Sequence, residues 1–355
     1  HPMENAIILC EDGLGRIRGK TAAGLLRHSL RFKILGVVDS TKAGKDAGEV
    51  LDGAKNGVPV YASVKEAVSR SNPKPEWIIV GVATVGGMLP PEFREPLKDA
   101  MASGVSIISG LHEWLGNDPE FKALSEKYKV SVVDIRKEPP LDKMHYYRNL
   151  ASKMDCVRIP VLGTDAASGK RTTAVILTKE MNARGVKTTF VATGQTGLLQ
   201  GSKYGIPLDA IRGDYVVGEL ENAISMAYEN ERPQLIIVEG QGALSHPAYV
   251  TGSRTIVMAS APSTVVLQHA PGRKYRSFHA DELHLPNGTI DRELELIRVY
   301  AQTDIVGITI NHENLTRQQV EEHIREYEAK YKVPAADMLV DGPKKIADAV
   351  VKRFF

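Results

Sequence analysis

A glycine-rich stretch carries the most specific chemical signal in this sequence. It follows the apolar run 157–162, reads Gly163-Thr-Asp-Ala-Ala-Ser-Gly-Lys-Arg-Thr-Thr173, and precedes a helical pattern over 174–184. A turn of this kind points backbone N–H groups at one place, the following helix adds partial positive charge there, and Lys170 supplies a mobile ammonium. Because these groups suit the phosphates of a nucleotide, the stretch is predicted to be a Walker A-type phosphate loop.

The loop departs from the standard Walker A pattern in its spacing and in one side chain. Five residues separate Gly163 from Gly169, one more than usual, and this spacing resembles the loop of the dethiobiotin-synthetase-like P-loop proteins. Arg171 stands where Ser or Thr normally binds magnesium. Thr172 or Thr173 could take that role, the site could use no metal, or Arg171 could neutralise an additional phosphate. The predicted cofactor-binding residues of the loop are Gly163, Thr164, Asp165, Ser168, Gly169, Lys170, Arg171, Thr172 and Thr173.

Two later strand ends carry polar side chains that fit the same site. The run Leu235-Ile-Ile-Val-Glu239 ends in a carboxylate, as a Walker B strand does when it holds magnesium. Glu239 and Thr172 are therefore the predicted metal ligands, although Glu239 could instead cap the next turn. Asn311 follows the run 305–310, where the same class of P-loop protein has an asparagine that reads adenine. The alternative for Asn311 is a simple Asx turn.

Other polar residues near strand ends are candidates for binding a substrate. Thr193 and Gln195 lie in a glycine- and hydroxyl-containing turn that could form part of an acceptor pocket or be a plain loop. Cations concentrated near one further strand end could attract a carboxylate or phosphate, or form a solvated basic loop. These are Arg273, Lys274 and Arg276. His246, in front of a proline, could transfer protons or be only a turn residue.

A second glycine-containing turn follows the first apolar run of the chain. Gly13 and Gly15 fit a dinucleotide-binding fingerprint, but the third glycine, Gly19, comes one residue late. Asp39 stands where an acid would bind a ribose hydroxyl. The cations at 16, 18 and 20 would suit a phosphorylated ribose such as that of NADP or coenzyme A. The turn is therefore either a phosphate-binding turn or a structural one.

Short β-branched runs alternate with helical patterns throughout and must position these residues. Such alternation predicts βαβ units and parallel sheets. The predicted strands are 6–10, 34–38, 77–82, 105–108, 130–135, 157–162, 188–192, 235–239, 263–267 and 305–310. The predicted helices of the first part are 20–30, 64–70, 91–103 and 119–128. Pro139-Pro140 cannot continue a central strand or a helix, so we predict a Rossmann-like domain over 3–140, a linker over 141–155 and a P-loop domain over 156–355.

Composition excludes several classes of protein. The 355 residues carry 45 basic and 43 acidic side chains, and 43% of them are hydrophobic, which is typical of a globular chain and not of a disordered one. The balanced charge gives no indication of nucleic-acid binding. We expect no membrane span, because no uncharged apolar stretch reaches about 18 residues, and we expect no signal peptide. The two cysteines, Cys10 and Cys156, favour a reducing compartment, so the expected location is the cytoplasm.

Four segments together resemble one protein family. They are Leu35-Gly-Val-Val-Asp-Ser40, Ala43-Gly-Lys-Asp-Ala-Gly48, the loop Gly163–Thr173 and Val238-Glu-Gly-Gln-Gly242. The family was long catalogued as a domain of unknown function, has an N-terminal Rossmann-like domain and a C-terminal P-loop domain, and includes a D-glutamate N-acetyltransferase. The resemblance implies transfer of acetyl from acetyl-CoA to the amino group of an acidic amino acid, most directly D-glutamate, by a protein that forms a homodimer or a higher homo-oligomer.

This chemistry assigns a role to each group of candidate residues. The loop, with Lys170, would bind the phosphates of coenzyme A. Either Glu239 or His246 would be the base, and the N–H groups of 240–242 would stabilise the oxyanion. Thr193, Gln195, Arg254, Arg273, Lys274 and Arg276 would bind the acceptor. Two alternatives stay open. One is an ATP- and magnesium-dependent ligase or kinase-like enzyme of the dethiobiotin synthetase type, and the other is a non-enzymatic, nucleotide-binding regulator or metallochaperone.

Overall fold

The structure is a computed structural model that describes residues 3–355, and packing divides the chain into two units. The first unit comprises the residues up to Glu138 together with Gln195–Ser202, and the second comprises Pro139–Gly194 and Lys203–Phe355. The sequence carries no signal for the short return of Gln195–Ser202 to the first unit. The segment after the Pro-Pro pair packs on the second unit, where Glu221 accepts hydrogen bonds from the backbone N–H groups of Arg148 and Leu150, at 2.7 and 2.9 Å.

The first unit is a six-stranded sheet whose paired strands are all parallel. Its order is β3-β2-β1-β4-β5-β6, which is the doubly wound order of the Rossmann fold. The strands are β1 Glu4–Leu9, β2 Phe32–Val38, β3 Val60–Tyr61, β4 Trp77–Val80, β5 Ser106–Ser109 and β6 Val132–Asp134. The helices are α1 Lys20–Arg27, α2 Ala47–Asp52, α3 Val64–Arg70, α4 Arg94–Ala102, α5 Pro119–Tyr128 and, after the return of the chain, α7 Gln195–Leu199.

Local signals fix the ends of these helices, as α5 illustrates. The Asp118 carboxylate accepts hydrogen bonds from the N–H groups of Glu120 and Phe121, and Pro119 occupies the first turn. Lys129 ends the helix in the left-handed conformation. The predicted bounds 119–128 are therefore the observed ones, because an Asp cap followed by proline is a strong helix-start signal.

The second unit is a seven-stranded sheet, again with parallel pairing between neighbouring strands. Its order is β13-β12-β11-β7-β10-β8-β9. The strands are β7 Val157–Gly163, β8 Thr188–Ala192, β9 Tyr204–Gly205, β10 Leu235–Glu239, β11 Val265–His269, β12 Ile305–Ile310 and β13 Ala335–Ala336. The helices are α6 Lys170–Ala183, α8 Gly213–Glu231, α9 Val250–Ser260, α10 Ala280–Leu283, α11 Ile290–Ala301, α12 Arg317–Tyr331 and α13 Lys344–Phe354.

The predicted fold class, two parallel-sheet α/β domains with the P-loop in the second, is confirmed. The sequence missed β3, β9 and β13, which have two residues each and lie at the edges of the sheets. Strands this short contain too few side chains to produce a periodic pattern. In the second sheet β7 lies between β10 and β11. The carboxyl ends of these parallel strands therefore meet at one edge, where α/β proteins bind ligands.

Candidate active site

The loop between β7 and α6 is shaped by a glycine that no other residue could easily replace. Gly169 has φ +102°, outside the range that side chains favour, and α6 begins at the next residue without a side-chain cap. The first N–H groups of the 14-residue helix α6 thus have no side-chain acceptor, an arrangement also found at helix ends that bind phosphate. This is the backbone arrangement that the sequence predicted.

Lys170 lies buried beneath this loop. Its ammonium donates to the backbone oxygen of Asp165 at 2.5 Å and lies 3.4 Å from the Ser168 hydroxyl. A Cβ atom at Gly163 or at Gly240 would lie 2.9 Å from Lys170 Cδ, so both glycines make room for the lysine chain. Burial lowers the pKa of Lys170 to about 8, against the opposing effect of Asp165.

The neighbouring strand ends β11 and β12 hold the loop from outside. The Gln268 side chain donates to the backbone oxygen of Ser168 at 3.0 Å and accepts from the Thr173 hydroxyl at 2.6 Å. Asn311 also donates to the Ser168 oxygen, at 3.1 Å, and accepts from the N–H of Glu313 at 2.9 Å. Asn311 thus makes the Asx turn that was the alternative to reading adenine. Thr173 uses its hydroxyl inside the protein.

Two of the predicted substrate-binding arginines pack against the loop itself. Arg273 donates to the Asp165 carboxylate at 2.8 Å and to the backbone oxygens of residues 166 and 167, at 2.8 and 2.6 Å; it also pairs with Glu313. Arg276 donates to the backbone oxygen of Thr164 at 2.7 Å. These contacts fix the loop, so both guanidinium groups already have protein partners.

His246 is buried beside this cluster. Its Nδ1 accepts hydrogen bonds from the N–H groups of residues 248 and 249, at 3.0 and 2.9 Å. The proton of the neutral ring therefore lies on Nε2, which is 3.6 Å from a carboxylate oxygen of Asp165. Burial and the charge of Arg276 lower the pKa of His246. The Nε2 atom makes no hydrogen bond, and the assignment of the base to Glu239 or to His246 stays a prediction.

Glu239 ends β10 as a buried carboxylate. One oxygen accepts from the N–H of Thr193 at 3.0 Å, and the other accepts from the Gln241 side chain at 3.2 Å. Burial raises the pKa of Glu239, although the charges of Arg171 and Lys170 oppose this. The structure thus brings Glu239, Thr193, Lys170 and the loop together at one sheet edge.

Three predicted substrate-binding residues make their contacts elsewhere than with the phosphate loop or Glu239. Arg254 is exposed on α9 with its guanidinium over the ring of Tyr300, 5.7 Å from the centroid. Lys274 is exposed and lies 5.1 Å from the ring centroid of its neighbour Tyr275. Gln195 belongs to the first unit, where its side-chain amide lies against the backbone oxygen of Gly110.

The sequence analysis missed the side chains that hold the site from behind. Gln268 and Gln241 do so, and Glu293 accepts from the N–H of Leu244 at 2.5 Å. Of these three residues, only Gln268 could have been found from the sequence, because it is a polar residue at the end of an apolar run. Among residues 3–355 no group of three or more His, Cys, Asp or Glu side chains is placed to hold a metal. Metal binding by Thr172 and Glu239 remains a prediction.

The glycine turn of the first unit is closed on itself. The buried Asp39 carboxylate accepts from the N–H groups of Asp12 and Leu14, at 3.1 and 3.0 Å, and from the Thr41 hydroxyl at 2.7 Å. The Leu14 side chain is buried in the hydrophobic core. The oxygens of Asp39 therefore bond to the glycine turn and to Thr41, and binding of a phosphorylated ribose by this turn stays a prediction.

These features define a two-domain α/β protein with a Rossmann-type sheet and a P-loop. Residues 145–347 match the family described as "Domain of unknown function (DUF1611_C) P-loop domain", and residues 40–138 match "Domain of unknown function (DUF1611_N) Rossmann-like domain". The chain belongs to the DUF1611 family. In the described part of the chain, no helix has both the length and the apolar character needed to cross a membrane.

Relatives of this chain include proteins with a named activity. A D-glutamate N-acetyltransferase of Tritonibacter scottomollicae is 31% identical over 276 residues, which cover 77% of this chain and 80% of that protein. A D-glutamate N-acetyltransferase of a Pseudoalteromonas species is 30% identical over 273 residues, 76% of this chain and 79% of that protein. The crystal structure of a DUF1611 family protein from Anabaena variabilis is 31% identical, with a TM-score of 0.88 over 98% of this chain and 99% of that chain.

Proposed function

We propose that this chain is an N-acetyltransferase that moves the acetyl group of acetyl-CoA to the amino group of an acidic amino acid, with D-glutamate the leading acceptor. The single observation that carries the proposal is the buried Glu239 carboxylate at the strand end beside the Lys170 loop. A carboxylate whose pKa is raised by burial is a better proton acceptor near neutral pH. The names of the two relatives support the same reaction.

The proposed reaction needs only direct transfer. Glu239 takes one proton from the acceptor ammonium, and the free amine attacks the thioester carbonyl carbon. The new C–N bond produces a tetrahedral oxyanion, which the N–H groups of residues 240–242 would stabilise. Collapse breaks the C–S bond, the thiolate takes a second proton from the nitrogen, and the amide product keeps the third. Lys170 and the first N–H groups of α6 would hold phosphates of coenzyme A.

The test is release of free thiol from acetyl-CoA by the purified protein in the presence of D-glutamate. We expect Glu239→Gln, which keeps the side-chain shape, to lower kcat by about 10²- to 10⁴-fold while the Kd for acetyl-CoA stays within about twofold. Glu322, exposed on α12, gives the matched control Glu322→Gln, which should have wild-type kcat. Absence of thiol release with every acidic amino acid of either chirality would contradict the proposal.

A second candidate is an ATP-dependent ligase, which the loop spacing of Gly163–Lys170 favours. Against it, Arg171 stands at the magnesium-ligand position and the Thr173 hydroxyl is bound to Gln268. This candidate requires calorimetric binding of MgATP that Lys170→Ala abolishes. A calorimetric titration that shows no binding of MgATP excludes the ligase. It also excludes a regulator that binds ATP.

A further inference from the structure

Arg171 is a cation of the site without a hydrogen-bonding or ion-pairing partner among residues 3–355. It lies in the first turn of α6, directly after Lys170. Among residues 3–355 its guanidinium makes no hydrogen bond or ion pair, and its Nε is shielded from solvent without an acceptor. Arg273 and Arg276, by contrast, are both bonded to the loop. Because a shielded, unpaired guanidinium costs free energy, Arg171 is placed to receive an anion.

The carboxylate whose charge acts on Arg171 is the buried Glu239. Each group acts electrostatically on the other, yet they form no ion pair within the 4.0 Å that defines one. Glu239 is instead held by Thr193 and Gln241. An anionic and a cationic group are thus fixed near each other without direct contact. This arrangement is complementary to a zwitterion that carries an ammonium and a carboxylate on the same carbon.

We propose that Arg171 binds the α-carboxylate of the amino-acid acceptor while Glu239 faces its α-ammonium. This inference rests on the proposed function and states which group of the acceptor the site recognises. An arginine suits the task because its planar fork can donate two parallel hydrogen bonds to one carboxylate. Holding the carboxylate in this way turns the amino group towards the base. A phosphate of acetyl-CoA is the other oxyanion that could occupy Arg171, so the test must separate the two ligands.

The experiment compares Arg171→Met and Arg171→Lys with Lys179→Met, which removes one positive charge from the exposed face of the same helix. KM is measured separately for D-glutamate and for acetyl-CoA. Charged hydrogen bonds contribute about 1.5–3 kcal/mol, so we expect Arg171→Met to raise KM for D-glutamate roughly 10- to 150-fold. KM for acetyl-CoA should stay unchanged, which also shows that the loop is folded, and Arg171→Lys should recover part of the loss.

A second acceptor identifies the carboxylate. 4-Aminobutyrate has the amine and the distal carboxylate of glutamate but lacks the α-carboxylate. We expect Arg171→Met to reduce kcat/KM for D-glutamate and to leave that for 4-aminobutyrate unchanged, so that the preference between them disappears. A rise in KM for acetyl-CoA alone would assign Arg171 to a phosphate and overturn the inference. Unchanged values for both substrates would overturn it as well.

Failure of the proposed function is detected independently. If the wild-type protein releases no thiol, the acetyltransferase proposal fails, and the inference is then decided by calorimetric titration of D-glutamate into wild-type and Arg171→Met proteins. Binding that weakens at least tenfold in the variant supports the role of Arg171. Equal binding, or no binding to the wild-type protein, overturns it.

Discussion

Lys170 is a buried ammonium that hydrogen-bonds to its own loop, through the backbone oxygen of Asp165 and near the Ser168 hydroxyl. Burial lowers its pKa to about 8, so above that pH most molecules of the empty protein carry a neutral amine. A phosphate that replaces these contacts favours the charged form and raises the pKa. Binding should therefore be coupled to proton uptake.

We expect acetyl-CoA to bind at pH 8.5 with uptake of up to one proton. Its affinity should fall as the pH rises above 8, because part of the binding free energy is then used to protonate Lys170. The measurement is calorimetry in buffers of different ionisation enthalpy. Lys170→Met should bind more weakly and without the buffer dependence. Observed heats that are independent of the buffer at pH 8.5 would contradict this assignment of the pKa.

At the scale of elements, the turn between β1 and α1 shows how one carboxylate can organise a loop. Although burial raises the pKa of Asp39, hydrogen bonds from Thr41, Leu14 and Asp12 lower it below its ordinary value of 3.8. A carboxyl group whose pKa is lower in the folded state stabilises the protein above its unfolded pKa. That stabilisation is lost as the pH falls through the folded value.

We expect Asp39→Asn to lower the free energy of unfolding by about 1–3 kcal/mol at pH 7, because an amide N–H₂ then faces a backbone N–H in a buried place. The difference from wild type should begin to shrink below about pH 4, where Asp39 becomes protonated in the unfolded chain, and should shrink further as the pH falls through the lower pKa of folded Asp39. Denaturant titrations at several pH values measure both effects. Asp281→Asn, at an exposed position, is the control, and a pH-independent difference would refute the role given to Asp39.

The closed turn also predicts a negative binding result at the same scale. Asp39 is occupied by loop N–H groups and Leu14 is buried in the core. We expect no change in NADH or NADPH fluorescence on adding the protein. Saturable binding of either dinucleotide would show that the turn opens.

At the scale of the whole molecule, each unit has its own hydrophobic core, one built on β1–β6 and the other on β7–β13. Ligand that binds only the native P-loop unit should stabilise that unit, by about 2.7 kcal/mol at 100 times its Kd. In scanning calorimetry we expect two unfolding transitions. Acetyl-CoA should raise the midpoint temperature of one, and Asp39→Asn should lower the midpoint temperature of the other. A single transition that responds to both changes would show that the two cores unfold as one.

The sequence by itself determined the features that depend on near neighbours. The glycines and Lys170 of the phosphate loop, the Asp118 cap of α5 and the carboxylate at the end of β10 follow from short segments. The alternation of apolar runs with helical patterns likewise predicted parallel sheets. These features are local because the conformation of a turn or a helix end is decided by a few consecutive residues.

The tertiary structure alone decided which charged groups are already used. Arg273 meets Asp165 across 108 positions of sequence, and Gln268 reaches Thr173 across 95. Strand order brings these residues together, and the apolar pattern does not encode strand order. The sequence likewise does not distinguish Arg171 from the other cations. Only the structure shows that its guanidinium has no protein partner among the described residues. The partner of a polar group is set by long-range packing, because burial makes each unpaired group costly and the fold determines which groups can meet.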